Sequence, residues 1–205
     1  MARVNTAGLS YRQFQAKQTR DRIAAAARRL FALRGYTDTS IEAIASEAGV
    51  SVRTVYTAFG NKRQILKAVR LGFVFAAETP DLMRAAFAES DHGSRLALAA
   101  RWTRRQLELG AGDVRAVYRS AAVADTEMAV EWEGVQARYR KAVRRLLADM
   151  LDGLKPELSL DDAIAVYMAL TSPEIFRELV ERAGWSADRY EDWLAGALKL
   201  LLIRD

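Results

Sequence analysis

The groups in this chain best able to do chemistry are the hydroxyl, guanidinium and ammonium side chains gathered between positions 39 and 62. Thr39, Ser40, Ser51, Arg53, Thr54, Tyr56, Thr57 and Lys62 carry the donors and acceptors that bond to phosphate oxygens and to base edges. The residues between them prescribe a scaffold. Thr39 stands three residues before Glu42, the spacing of a capping box. Ile41, Ile44, Ala45 and Ala48 recur at helical spacing, so one face of a short helix is apolar. Gly49 follows, where a helix end favours a residue that tolerates positive φ. Val50 can drop into the corner, and Ser51 is a good N-cap for a second helix. That helix sets Val55 and Phe59 on one side and turns Arg53, Thr54, Tyr56 and Thr57 outward. Two short helices, a tight glycine turn and a polar outer face suit insertion into a DNA major groove. The same elements also make a plain corner of a helical bundle, so the flanking sequence has to decide.

It does so by an ordered set of motifs. Arg22-Ile23 opens an Ala-rich helix to Leu30-Phe31, and Arg34-Gly35-Tyr36-Thr37-Asp38-Thr39-Ser40 precedes the segment above. Gly60-Asn61-Lys62 and Ile65-Leu66 follow it. From about Thr19 to Val69 the chain resembles the DNA-binding domain of the TetR family of bacterial transcriptional regulators. On this reading Arg53 and Thr57 are expected to face base edges, and Tyr56 and Lys62 to hold the backbone. Where the family often has Gly, this chain has Arg53, so its base contacts are its own.

Charge is divided in a way that agrees. Residues 1–70 hold 13 Lys+Arg against 4 Asp+Glu, and residues 71–205 hold 18 against 22. A basic first third on an acidic remainder is the footprint of a DNA-reading head on a body of another kind. There is no Cys among the 205 residues, which excludes disulfides and thiolate metal sites and fits a reducing cytosol. No signal-like opening or membrane-length apolar run is present, so a cytoplasmic protein is expected. Residues 1–18 have no clear period and read as a basic flexible arm (Arg3, Arg12, Lys17). Residues 19–70 read as the helix-turn-helix domain, with its first helix from Thr19 to Arg34 and a fourth capped by Asn61 and Gln64. Residues 71–205 read as a helical ligand-binding and dimerisation domain.

In that body Pro80, the Ser90–Gly93 loop, Gly110–Asp113, Gly153, Pro156, Pro173 and Gly184 punctuate a run of helices with no alternating strand pattern. Met128, Trp132, Val135, Tyr139, Val143, Leu146 and Met150 line one face of the longest, from Thr126 to about Asp152. No catalytic residues are expected. His92, the one histidine, falls in a predicted loop, and neither zinc nor any other metal or cofactor finds ligands. Asp161-Asp162 belong to a first helical turn, where acidic groups suit the helix dipole. Glu127, Glu131 and Glu133 read as a solvated face, and the Arg101, Arg104 and Arg105 cluster as solvated in preference to anion-binding. Trp102, Tyr118, Met128, Trp132 and Tyr139 fall on three helices, with Tyr167 near by. They are candidate walls for a small-molecule pocket, although each singly is ordinary core.

The fold expected is therefore all-α, an N-terminal three-helix helix-turn-helix domain followed by a helical bundle. The function expected is that of a homodimeric repressor, released from a palindromic double-stranded operator by a small hydrophobic effector, with no membrane partner. The family resemblance implies a four-helix dimer interface, which here would use Ala165, Met168 and Ala169 with Trp193, Leu194, Ala197, Leu198 and Leu201. The alternatives are activation in place of repression, and a helical enzyme or adaptor that keeps the helix-turn-helix by descent alone.

Overall fold

The structure, a computed structural model, describes residues 10–74 and 79–204. Among these residues it is all helix apart from turns and one isolated antiparallel bridge, Leu154 to Ile203. The helices are α1 (Tyr11–Arg34), α2 (Ile41–Ala48), α3 (Val52–Phe59), α4 (Lys62–Val74), α5 (Thr79–Ala88), α6 (His92–Glu108), α7 (Ala111–Ala124), α8 (Thr126–Ala148), α9 (Leu160–Leu170), α10 (Pro173–Phe176) and α11 (Ala187–Leu202). They divide between two compact units, Met1–Phe73 with Asp113–Trp132, and Val74–Gly112 with Glu133–Asp205.

In the first unit α1 packs on α2 and α3. Ile23, Ala27, Leu30 and Phe31 of α1 are buried, as are Ile44 and Ala45 of α2, Val55 and Phe59 of α3, and Ile65, Leu66 and Val69 of α4. Alanines among larger residues let these short helices approach closely. Two expectations change here. The stretch expected as an arm is helical from Tyr11, because Ser10 and Gln13 form a complete capping box two turns before Thr19; Arg3 lies outside the described residues. The cap of α2 is Ser40, whose hydroxyl oxygen accepts from the Ala43 amide at 3.1 Å. Thr39 is buried, and its hydroxyl donates to the Gly35 carbonyl at 2.7 Å. The threonine thus closes the end of α1 and the serine opens α2.

In the second unit α6 is packed by α5, α11 and α10. Leu96, Ala99 and Ala100 of α6 share a core with Val143, Leu147, Ile164, Tyr167, Tyr190, Leu194, Leu198 and Leu202. Asp91 caps α6, Ser159 and Asp162 cap α9 reciprocally, and Ser186 caps α11. α10 starts at Pro173 and continues as a wider π-helical turn, Arg177–Arg182, before Gly184 takes φ 72°. His92 is the first residue of α6 and not a loop residue; its imidazole occupies the space a Cβ on Gly153 would need.

Candidate functional site

The polar residues singled out between 39 and 62 divide into two sets. Ser51 closes the N-terminus of α3 by accepting from the Thr54 amide at 3.1 Å, and the two hydroxyls lie 2.8 Å apart. The Thr57 hydroxyl donates to the Arg53 carbonyl at 2.9 Å. Arg53, Tyr56 and Thr57 are exposed, with Tyr56 at 50 %. The Arg53 side chain has no hydrogen-bond or ion-pair partner among the described residues. Gly49 at φ 63° and Gly60 at φ 77° end α2 and α3 sharply. α3 is thus a short helix with Val55 and Phe59 held inward and Arg53, Tyr56 and Thr57 exposed.

Lys62 belongs to the other set. Its ammonium donates to the carbonyls of Tyr36 (2.7 Å), Thr39 (2.9 Å) and Thr37 (3.3 Å), and lies 4.3 Å from the Tyr36 ring centroid. Burial pulls its pKa below the usual lysine value, with Asp38 and Asp125 opposing. Burial, with Asp125 adding, pushes the Tyr36 phenol up to about 12. With all three donors satisfied by carbonyls, Lys62 clamps the turn between α1 and α2. Arg20 does similar work, donating to the Ala58 carbonyl with its guanidinium 4.1 Å over the Phe59 ring. Arg29 joins α1 to α2 through Glu47 at 2.8 Å. These clamps lie 38, 26 and 18 residues apart in sequence, so no local spacing announces them.

The sequence profile of bacterial regulatory proteins of the tetR family matches residues 23–69, from α1 to α4. Over those residues the chain is similar to the DNA-binding part of that family. TtgW of Pseudomonas putida, an uncharacterised HTH-type transcriptional regulator, is 39 % identical over 71 residues, which is 33 % of this chain. The chain spans about half, 53 %, of that relative's length. Among solved structures it is similar to NalD, the secondary repressor of the MexAB-OprM multidrug efflux pump in Pseudomonas aeruginosa. The TM-score is 0.71 at 21 % identity, covering 94 % of this chain and 99 % of that one. A regulator from Saccharomonospora viridis in complex with choline gives a TM-score of 0.69 at 20 % identity, covering 92 % and 100 %. These structural likenesses show a fold shared over 94 % and 92 % of the chain.

The six expected pocket residues are divided between the two units. Tyr118, Met128 and Trp132 belong to the first, where Tyr118 and Met128 are fully buried and the Tyr118 and Trp132 rings stack at 6.1 Å. Trp102, Tyr139 and Tyr167 belong to the second. There Trp102 and Tyr167 line an apolar cavity with Met83, Phe87, Ala99 and Val143, but its volume is only about 20 Å³, room for about one water. The Tyr139 hydroxyl lies 3.0 Å from that of Thr171. A larger cavity of about 240 Å³, polar in character, is lined by Leu82, Arg101, Arg104 and Arg105. Glu127, expected on a solvated face, pairs with Arg63.

The candidate interface residues also separate by face. Leu194 and Leu198 lie on the i, i+4 row with Tyr190 and Leu202 and are fully buried in their own unit. Trp193 and Ala197 are half-buried, while Leu201, at 45 %, and Leu200, at 68 %, are exposed. On α9, Ala165 and Ala169 are exposed and Met168 is half-buried. No described helix is long and apolar enough to cross a membrane, and no group of metal-ligating side chains gathers among the described residues.

Proposed function

We propose that this chain is a cytoplasmic, homodimeric transcriptional repressor that reads a pseudo-palindromic operator and leaves it on binding a small-molecule effector. The observation that carries the reading is the outer face of α3, where Arg53, Tyr56 and Thr57 stand free of the packing that fixes the helix. A helix eight residues long with base-reading side chains at one face has the dimensions for a major groove. One such head makes few base contacts. Two spaced by about 34 Å, one turn of DNA, add their affinities, and this is the argument for a dimer. The exposed Leu200 and Leu201 and the half-buried Ala197 on α11, together with Ala165 and Ala169 on α9, make the apolar surface that favours pairing there. NalD, a repressor, and the choline-bound regulator favour repression and an organic effector, respectively.

Fluorescence anisotropy with fragments flanking the gene tests the central claim. Binding should weaken steeply with salt, as Lys and Arg displace phosphate counterions. Arg53→Ala should cost about 1–3 kcal/mol and relax specificity at one base pair per half-site. Absence of binding to every fragment at low salt would refute the DNA-reading function. A monomer by light scattering at micromolar concentration would refute the dimer.

A further inference from the structure

We infer that the cavity between α5 and α6 is a site for a small organic anion, a carboxylate or a phosphate ester with an apolar remainder. The inference rests on the effector reading above and names the chemistry of the effector. On α6, Arg101, Arg104 and Arg105 line a cavity of about 240 Å³ whose opposite wall is Leu82 of α5. Arg104 is fully engaged. It donates to Asp188 at 2.6 Å and to Glu108 and Glu191 at 2.9 Å each, so it forms a fixed wall.

Arg101 and Arg105 differ from it. Arg101 has no ion-pair partner among the described residues. Arg105 reaches only Glu108, at 3.6 Å, a carboxylate it shares with Arg104. The Arg105 Nε is buried with no hydrogen-bond partner among the described residues, and so is the Nε1 of Trp102. Buried donors of this kind are rare, and the usual reason is a group that binds there. Arg101 and Arg105 are also four residues apart on one helix, a like-charge spacing that destabilises unless an anion lies between them. The guanidinium groups of Arg101 and Arg105 form a donor set matched to a planar oxyanion and offer no acceptor for a cation, while the Trp102 indole belongs to the adjacent apolar cavity.

The apolar part of the ligand follows from the rest of the cavity. A bare ion would leave the Leu82 wall unfilled in a space this large. Beside it on α5 is Met83, which with Trp102 lines the small apolar cavity. An aryl or short acyl group fits between the arginines and that seam. The three acidic groups nearby, Glu108, Asp188 and Glu191, are all held by Arg104. They therefore exclude a second negative charge on the ligand's far side, without occupying Arg101.

The test is calorimetric titration of the full chain with benzoate, phenyl phosphate, benzyl alcohol, benzylamine and inorganic phosphate, with tryptophan fluorescence in parallel. Benzoate or phenyl phosphate should bind at least about tenfold more tightly than benzyl alcohol or inorganic phosphate, and benzylamine should not bind. Comparison of the two anions separates the carboxylate source from the phosphate ester. Arg101→Ala, at an exposed position, should erase the preference for anions and leave the melting temperature unchanged; Arg105→Gln should do the same in part. Equal binding of benzoate and benzyl alcohol, binding of inorganic phosphate alone, no binding of any probe, or an anion preference that survives both substitutions would each overturn the site. Operator release is scored separately. Anion binding that leaves DNA bound keeps the site and removes its role as the effector site. Release by a compound that ignores Arg101 keeps an effector-responsive regulator and removes this inference.

Discussion

In the first unit α2 and α3 are eight residues each, and both ends of both are closed by serine or glycine: Ser40 and Gly49, Ser51 and Gly60. In the second, α6 and α11 run 17 and 16 residues. They are held together by the leucine row of α11 and by Arg104 reaching Asp188 and Glu191. Helices of two turns are unstable alone in water and depend on caps and neighbours. Longer ones gain most of their stability from an apolar face. α2 and α3 thus lean on polar devices at their ends, and α6 and α11 on buried area along their lengths.

Mutation can break or sharpen that contrast. The largest effect should come from Leu198→Ala, which opens a cavity in the second unit and should lower unfolding stability by roughly 2–5 kcal/mol in chemical denaturation. Leu201→Asp, three residues on but exposed, should leave the fold intact and act on the oligomer, read by light scattering. If both variants unfold the chain equally, the division of α11 into an inner and an outer row is wrong. Lys62→Ala should be next. It strands three carbonyls and should cost about 1.5–3 kcal/mol of stability. DNA affinity should then fall through loss of folded head, with the salt slope per folded molecule unchanged; a slope reduced by about one would make Lys62 a phosphate contact. Gly49→Ala forces a side chain into left-handed backbone and should cost about 1 kcal/mol. Gly196→Ala, in the interior of α11 with open space around it, should stabilise an isolated chain by a few tenths to about 1 kcal/mol.

The smallest effect is acidic. Hydrogen bonds from the Ser159 hydroxyl and amide hold Asp162 below the usual carboxylate pKa, and those from Ser94 hold Asp91 there too. Groups whose folded pKa is lowered contribute stability that is complete above the ordinary value, 3.8. It is lost as pH falls through the lower folded value. The melting temperature should therefore drop on acidification below about 4, and the drop should be smaller in Asp162→Asn.

The same contrast explains what could be read from the sequence. The α2–turn–α3 unit was legible because each end is written in adjacent residues, Ser51 before Val52 and Gly49 after Ala48. The error there was one position, Thr39 for Ser40, since both are hydroxyl residues and only packing decides which faces inward. The start of α1 was missed because its cap, Ser10 with Gln13, lies in a stretch without an apolar period. In the body, periodicity identified α8 and α11 but could not say which apolar row meets the chain's own core. Leu194 and Leu198 were accordingly grouped with Trp193 and Ala197. The aromatic residues read as pocket walls are divided between the two units, a division that helical spacing does not announce.

Lys62 also makes the head a reporter of its own opening. An amine whose three protons are all engaged by carbonyls of the turn it clamps can be acylated only when that turn lets go. Lys67, exposed on the next turn of α4, reacts from the closed state. The ratio of labelling at these two neighbours, followed by peptide mass spectrometry, reads out the local opening equilibrium of the head without DNA or effector.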